Sequence, residues 1–318
     1  MIAACSVPAE EKLILSVKHP IISVTGSSGA GTTSVKRTFE RIFRREGIKS
    51  AFIEGDAFHR YDRVGMKKKM AEESEKGNHH FSHFGPDANR LEDLERVFRD
   101  FSETGSGKTR HYVHDDEEAD LYGSPPGTFT DWEDIPQETE LLFYEGLHGA
   151  VVTDEINVAQ HCDLKIGVVP EVNLEWIQKI FRDNHERGYS QEVIKDTILR
   201  RMPDYLDYIC PQFSETDINF QRVPTVDTSN AFCARWIPTP DESMVVIRFA
   251  NPRGIDFPYL TSMIHGSSMS RANSIVIPVS KQPLEMQLIL TPMILLLMVR
   301  SRRAGGPRKK VQAIQNSA

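Results

Sequence analysis

The chain has 318 residues, 39% of them hydrophobic and 26% charged, so it can hold one large α/β domain or two smaller ones with a sizeable core. Its net charge of −7 argues against general nucleic-acid binding. Its four cysteines are widely scattered without a CxxC pair, which favours a reduced, cytoplasmic setting.

Residues 1–18 have no basic-then-apolar pattern, and we expect a leader segment there rather than a signal peptide. The stretch 21–35 then reads IISVTGSSGAGTTSV. Its β-branched start predicts a buried strand, and the apolar spacing from Phe39 to Phe43 predicts a helix after it. A glycine-rich turn between a strand and a helix is the context of a phosphate-binding loop, because backbone N–H groups and the helix N-terminus attract anions.

The spacing of this loop fits G-x-x-x-x-G-K-[ST], except that Thr32 occupies the lysine position. Thr33 stands where a hydroxyl would bind Mg²⁺. The candidate nucleotide-binding residues are Gly26, Ser27, Ser28, Gly29, Ala30, Gly31, Thr32, Thr33 and Ser34. A plain Gly/Ser turn is the alternative, but the flanking strand and helix favour phosphate binding. Without the lysine, another cation must approach the terminal phosphates.

A second strand is predicted at 51–53, with a charged block directly after it. Ligands of open α/β sheets gather at the carboxyl ends of strands, so Asp56 is expected near the phosphate loop. A carboxylate there could take a proton from an attacking hydroxyl while His59 and Arg63 hold an anionic group. A solvated loop with an N-capping Asp56 is an equally good interpretation.

Further elements follow in chain order. We predict helices at 67–76 and 91–104, a short strand at 110–114 and buried strands at 141–144 and 164–169. The strand at 141–144 ends in Glu145, the place where phosphate-loop enzymes put a Mg²⁺ or water contact. The alternative for Glu145 is a solvated carboxylate at a strand end.

The helix predicted at 173–187 carries Lys179, Arg182, Asp183 and Arg187 on one face. A solvated ion-pair stripe would explain that face in an average helix. Because the loop lacks its lysine, we favour a basic lid over the phosphates. Ser190 is expected to cap the next helix, which ends in Arg200 and Arg201.

The last part of the chain completes the sheet. Strands are predicted at 218–223, 244–249 and 274–278, and a helix at 284–298 broken near Pro292. The apolar run 288–299 is too short to span a bilayer, so no membrane association is expected. We therefore predict one α/β domain at 19–300, with a mixed, mostly parallel sheet flanked by helices, a helical lid at about 173–202, and a basic disordered tail at 301–318.

Six motifs taken together resemble one family. They are GSSGAGTT at 26–33, EGDAFHR at 54–60, FSHFGP at 81–86, PGTFT at 126–130, YEGLHG at 144–149 and IFRD at 180–183. The combination closely resembles bacterial-type phosphoribulokinase, of the uridine-kinase-like superfamily with the P-loop kinase fold. The resemblance covers about 19–303 and leaves only the leader and the tail outside.

The resemblance implies ATP- and Mg²⁺-dependent phosphorylation of D-ribulose 5-phosphate at O1. The product would be ribulose 1,5-bisphosphate, the CO₂ acceptor of the Calvin cycle. It implies catalytic roles for Asp56 as base, Asp183, Arg182 and Lys179, a lid contact from Arg187 to the nucleotide, and metal contacts from Thr33, Glu145 and Asp183. The implied substrate contacts are His59, Arg63, Tyr112, His114, Arg200 and Arg201.

The resemblance also implies regulation. The bacterial type is typically activated by NADH, inhibited by AMP and assembled as an octamer, and Arg45, Arg248 and Arg271 match arginines of its effector site. The plant type carries a redox cysteine in the phosphate loop. This loop has none, so thioredoxin switching is not expected.

Two other functions stay open on the sequence. A uridine- or pantothenate-type kinase shares the loop and the Arg-Asp lid, although the blocks at 54–63 and 81–86 favour a sugar-phosphate kinase. A non-catalytic nucleotide-binding regulator would be expected to lack the base or the metal acid. Both Asp56 and Glu145 are present.

Overall fold

A computed structural model describes residues 18–27, 32–185, 188–278 and 282–307, with the backbone alone at 32–34 and 282–285. The strands are β1 (Ile21–Thr25), β2 (Ser50–Glu54), β3 (Lys108–Thr109), β4 (Glu133–Asp134), β5 (Leu141–Gly146), β6 (Leu164–Val169), β7 (Ile218–Pro224), β8 (Ser243–Phe249), β9 (Ser268–Arg271) and β10 (Ser274–Ile277). The helices are α1 (Thr32–Glu46), α2 (Arg63–Glu75), α3 (Leu91–Thr104), α4 (Asp116–Tyr122), α5 (Val172–His185), α6 (Gln191–Asp204), α7 (Gln212–Glu215), α8 (Phe257–Met263) and α9 (Gln282–Arg303).

Eight strands form one mixed sheet in the order β2-β5-β1-β6-β7-β8-β10-β9. The five strands from β2 to β7 pair in parallel, and β8, β10 and β9 continue the sheet antiparallel. In this register Glu145 lies opposite both Val24 and Glu54. The carboxyl ends of β2, β5 and β1 therefore meet at one edge, and the predicted α/β sheet is confirmed.

Helices cover both faces of the parallel part, as the nearly continuous apolar runs of its strands require. On one face Ile22 and Val24 pack with α1 and α9, and the rings of Phe39 and Phe143 lie 4.7 Å apart. On the other face Leu142 packs among residues of α3 and the loop after β5. Alternate residues of one strand thus serve two cores.

Two predicted elements differ from the structure. The strand predicted at 110–114 is wrong: β3 covers only two residues before it, and Tyr112 makes an isolated bridge to Phe129. No long neighbouring strand is available to this segment, and Arg110 instead donates to the carbonyls of Ala57 and His59.

The helix predicted to break near Pro292 is continuous. α9 runs through Pro292 to Arg303, past the boundary expected at residue 300. A proline inside a helix removes one hydrogen bond and clashes with the preceding turn. Ile289, Leu290, Ile294 and Met298 flank it and are all buried against the sheet, and this packing offsets the loss.

The region predicted as a lid consists of α5 and α6. Ser190 caps α6 as expected, accepting a hydrogen bond from the N–H of Val193. Ile180, Ile194 and Ile198 join the two helices in a small apolar cluster. Of the helices described, none combines the length and apolarity that crossing a membrane requires. Residues 1–17 and 308–318, most of the expected leader and tail, lie outside the described residues.

Candidate active site

Close backbone packing fixes the edge where β1, β2 and β5 end. A Cβ atom on Gly55 would lie 2.8 Å from the Cα of Gly146, and one on Gly146 would lie 2.6 Å from the Cα of Gly55. Gly26 N–H donates to the carbonyl of Gly146 at 3.2 Å. Glycines at these positions let the start of the phosphate loop and the Asp56 segment approach the end of β5.

The phosphate-loop candidates lie partly outside the described residues. Gly26 and Ser27 follow β1, and Ser27 is fully buried. Residues 28–31 and 187 are not among the described residues, and neither are the side chains of 32–34. The nucleotide and metal roles expected there for Ser28, Gly29, Ala30, Gly31, Thr32, Thr33, Ser34 and Arg187 remain predictions.

Asp56 lies in a short 3-10 helix after β2, between two histidines. Its Oδ1 is 3.2 Å from His59 Nε2, and its Oδ2 is 3.6 Å from His114 Nε2. Burial by itself would raise the pKa of Asp56. The charge and hydrogen bond of His59 and the charge of His114 outweigh this effect and hold the pKa well below its ordinary value. The side chain is still 41% exposed, so the anion faces open space where a substrate can enter.

The orientation of His59 is set by Asn89. Asn89 Nδ2 donates to the carbonyls of His83 and Gly85, which leaves its Oδ1 facing His59 Nδ1 at 2.9 Å. His59 Nδ1 must therefore donate, while Nε2 faces the Asp56 carboxylate. Both ring nitrogens therefore point at oxygen atoms, and Asn89 and Asp56 together fix the orientation of the ring.

Two further histidines lie behind His59 and are neutral. His83 stacks on the His59 ring at 3.9 Å between centroids, and burial with the charges of His59 and Arg201 keeps the pKa of His83 well below its ordinary value. Burial lowers the pKa of His148 to about 4, and its Nε2–H donates to the Phe84 carbonyl at 2.9 Å. Asp56 thus faces His59, and the two neutral histidines lie behind His59.

The outer wall of this cleft carries the remaining predicted sugar contacts. The Tyr112 ring meets the rings of His59 and His114 edge-on, with centroids 6.3 and 4.9 Å away. Arg63, in the first turn of α2, donates to the carbonyl of His114 at 2.8 Å and is exposed. The segments 56–63 and 112–114, which are distant in sequence, therefore meet around Asp56, and we call their shared surface the cleft.

Carboxylates stand together at the ends of β2 and β5. Glu54 lies directly opposite Glu145 in the sheet register, and Lys36 of α1 pairs with Glu54. Burial opposes the charge on Lys36, but the hydrogen bond to Glu54 and the charge of Glu145 outweigh it and raise its pKa. Hard carboxylate oxygens are the donors that Mg²⁺ uses with nucleotide phosphates, so the chemistry of Glu145 suits the ion, while Glu54 is engaged by Lys36.

On α5, Asp183 is engaged by cations. Lys179 Nζ binds its Oδ2, and Arg182 Nη2 lies 3.0 Å from its Oδ1. Burial would raise the pKa of Asp183, but its bonds to the two cations lower it. Two of the three predicted lid cations thus meet the predicted second metal carboxylate, and the buried Asp183 carboxylate holds them in place.

Arg200 and Arg201 attach α6 to the loop before α3. Arg200 donates to the Phe81 carbonyl at 3.0 Å, and Arg201 lies over the Phe84 ring at 5.9 Å. Both therefore border the loop that carries His83, one layer behind the Asp56 cleft.

Comparison with known proteins identifies the family of this chain. The model of the Phosphoribulokinase / Uridine kinase family matches residues 21–229, about two thirds of the chain. The chain belongs to this family. It is 72% identical to the phosphoribulokinase of Nitrobacter vulgaris over 287 residues, covering 90% of this chain and 99% of the relative.

Two further comparisons support the same family. The phosphoribulokinase of Xanthobacter flavus is 72% identical over 291 residues, covering 92% of this chain and 100% of the relative. The solved structure of the Rhodobacter spheroides phosphoribulokinase aligns with a TM-score of 0.83 at 63% identity, covering 90% of this chain and 100% of that one. The P-loop kinase fold is therefore confirmed, and the chain is a kinase.

The three arginines expected at the family's effector site are exposed but do not gather within one chain. Arg248 and Arg271 both lie opposite Ser274 on neighbouring strands. Ile247, the neighbour of Arg248, faces the core shared with α1, so Arg248 points to the other face. Arg45 lies on α1 and donates to Thr291 at 3.0 Å.

Sequence reasoning missed three residues of this site. Lys36 lies one turn before Phe39 on the inward stripe of α1, a polar residue on an apolar face that its spacing could have revealed. Asn89 fixes the His59 ring, and Glu175 binds Ser27 from α5. No local pattern marks these two, because their partners are 30 and 148 residues away.

Proposed function

We propose that this family member transfers the γ-phosphoryl group of ATP to O1 of D-ribulose 5-phosphate, giving ribulose 1,5-bisphosphate and ADP in the Calvin cycle. The observation that carries the proposal is the Asp56 carboxylate, held between two histidines at the strand edge beside the phosphate loop. Relatives 72% identical over nearly their full length are named phosphoribulokinases, which supports the substrate.

In this mechanism Asp56 accepts the proton of the C1 hydroxyl as O1 bonds to the γ-phosphorus and the bond to the β–γ bridging oxygen breaks. The pKa of Asp56 is low, so the carboxylate is ionised at working pH and can accept a hydrogen bond from the substrate hydroxyl. A weak base suits phosphoryl transfer, because the loose transition state needs positioning and charge stabilisation more than early proton removal.

The side chains around the cleft are assigned to the phosphate group of the sugar. His59 and Arg63, with Tyr112 and His114, are assigned to the sugar phosphate, because they line the cleft on both sides of Asp56. Arg200 and Arg201 support this side from α6.

The lid is assigned to the γ-phosphate. Lys179 and Arg182, anchored by Asp183, lie on α5 with Arg187 proposed to extend the same face. Glu145 would hold Mg²⁺ with the Thr33 hydroxyl and, when the lid closes, Asp183. The bound ion would neutralise charge on the β- and γ-phosphates.

Regulation by small molecules is part of the proposal. Arg45, Arg248 and Arg271 are assigned to an effector site for NADH as activator and AMP as inhibitor, in a cytoplasmic octamer. Exposed guanidinium groups suit anionic phosphates. Because Arg45 and Arg248 occupy different parts of one chain, a shared site would need a second copy.

The experiment is ADP release with MgATP against ribulose 5-phosphate, uridine and pantothenate, each with and without NADH. Turnover with ribulose 5-phosphate alone is the expected result, with higher activity in NADH. Turnover only with uridine or pantothenate would leave the fold standing and overturn the assigned substrate. Nucleotide binding without turnover on any acceptor would instead favour a regulator.

A further inference from the structure

A buried chain of hydrogen bonds lies behind the phosphate loop. Ser27 Oγ donates to Oε1 of Glu175 on α5, and the Tyr205 hydroxyl donates to Oε2 of the same carboxyl at 3.3 Å. Ser27 is fully buried, and Glu175 and Tyr205 are 6% and 5% exposed. Tyr205 begins the π-helical turn (Tyr205–Ile209) that follows α6. One carboxyl on α5 therefore joins Ser27 to the turn that follows α6.

Glu175 has no role in the Asp56 chemistry described above. Its two oxygens meet hydroxyl groups, while Lys179 and Arg182 of the same helix bind Asp183. Burial raises the pKa of Glu175 to about 7, although both hydroxyl hydrogen bonds oppose the rise. A buried acid with neutral partners is costly, so its contacts call for an explanation.

We propose that Glu175 is a positioning residue that fixes Ser27, the nucleotide-binding candidate that follows β1 and Gly26, for contact with MgATP. The proposal rests on the assigned kinase activity and deepens it. Ordering one backbone residue costs about 1–2 kcal/mol, so a Ser27 that Glu175 already holds leaves less of this cost to nucleotide binding.

The same chain of contacts reaches the sugar side of the site. The Tyr205 ring meets the Phe84 ring edge-on with centroids 5.7 Å apart, and the Phe84 carbonyl accepts from His148. Phe84 follows His83, which stacks on His59. The Tyr205 ring thus packs on the loop that carries His83 and Phe84, while its hydroxyl binds Glu175. Tyr205 therefore links the sugar side of the site to Ser27.

The test measures the dissociation constant of MgATP by calorimetry on the full chain without any sugar. Glu175→Ala and Ser27→Ala should each raise it about 5–50-fold, the range for losing one buried hydrogen bond at tenfold per 1.4 kcal/mol. The double variant should be no worse than the poorer single variant, since both remove one contact. Glu175→Gln keeps an acceptor for Ser27 and should stay within about threefold of wild type.

A matched control makes the same change elsewhere. Glu140 is also buried, but it pairs with Arg302 and the Lys49 N–H at the opposite end of β5. Glu140→Gln should leave the MgATP dissociation constant unchanged even if the melting temperature falls. This control separates a general loss of stability from the loss of the contact between Glu175 and Ser27.

The pH dependence of the MgATP dissociation constant distinguishes positioning by Glu175 from simple packing, because packing alone would not change with pH. The groups facing Glu175 are Lys179 and Arg182 on α5 and Tyr205 and Cys210 on the π-helical turn. As pH rises through about 7, a negative charge appears behind the anion-binding loop, so the wild-type dissociation constant should rise between about pH 6 and 8. The Glu175→Gln variant should lack this rise.

Wild-type affinity in both alanine variants, additive effects in the double variant, or the same pH profile in Glu175→Gln would each overturn the proposal. If Glu175→Ala does not fold, Ser27→Ala and the Glu175→Gln profile still decide it. The assigned activity is judged separately, because wild-type turnover on ribulose 5-phosphate does not enter these measurements. A wild type that binds MgATP but ignores this sugar would refute only the assigned substrate.

Discussion

Replacing Asp56 with Asn tests the assignment of the base most directly. Asparagine keeps the size of the side chain and an oxygen for His59 Nε2, 3.2 Å away, but it cannot accept a proton. It also removes the negative charge that His114 faces at 3.6 Å. The perturbation is therefore confined to charge and proton acceptance in the cleft.

The expected magnitude follows from these contacts. Loss of a general base costs ~10²–10⁴-fold in kcat, or about 3–5 kcal/mol of transition-state stabilisation. His59 would lose its carboxylate partner but would still border the cleft beside the sugar phosphate. We therefore expect kcat to fall while the KM for ribulose 5-phosphate stays within about threefold and MgATP binding is unchanged.

The assay is ADP release over a range of ribulose 5-phosphate concentrations, with calorimetry for MgATP. Asp87→Asn is the matched control, because Asp87 is exposed in the neighbouring loop and outside the cleft. That control should keep wild-type kcat. An Asp56→Asn enzyme with more than about one tenth of wild-type kcat would refute the assignment of Asp56 as the base.

Three further predictions concern charge and packing. Arg182→Gln should lower kcat about 10²-fold or more, because it removes a lid cation, whereas Arg302→Gln should not, and steady-state kinetics compares the two. Burial raises the pKa of Asp163 from 3.8 to about 6, so the folded state holds its proton longer than the unfolded state, and ionisation costs stability as pH rises from about 4 to 6. Asp163→Asn should therefore raise the free energy of unfolding at pH 7 by about 2–3 kcal/mol but not at pH 3, measured by urea titration. Phe39→Ala, which empties a fully buried site beside Phe143, should lower that free energy by ~3–5 kcal/mol in the same titration, and a loss under 1 kcal/mol would contradict the packing.

Much of the fold could be predicted from local sequence. The strands β1, β2, β5 and β6 are short apolar runs with flanking turn residues, and β7, β8 and β10 were also predicted close to their observed bounds. Such patterns arise because a buried strand must be apolar along its length. The segment at 110–114 carries an aromatic and a β-branched residue, which favour a strand, but it lacks a neighbouring strand, and that information is not local.

The candidate site divides in the same way. Asp56, His59 and Glu145 could be predicted because each lies within a few residues of the end of a predicted strand, and strand ends in an α/β sheet face one edge. Lys36, Asn89 and Glu175 could not be predicted from such positions. Each acts through a partner brought near by the tertiary fold: Glu54, His59 and Ser27 respectively.

The sequence by itself determined the strand–loop–helix unit, the order of strand ends along the chain and the family motifs. Each of these can be read from residues that are close together in the sequence. Only the tertiary structure decided the ionic state of the site. Asn89 directs one ring nitrogen of His59 and Asp56 faces the other, burial keeps His148 neutral, and Lys179 and Arg182 are held by Asp183. Charge in a folded protein depends on distance and desolvation, and long-range packing sets both.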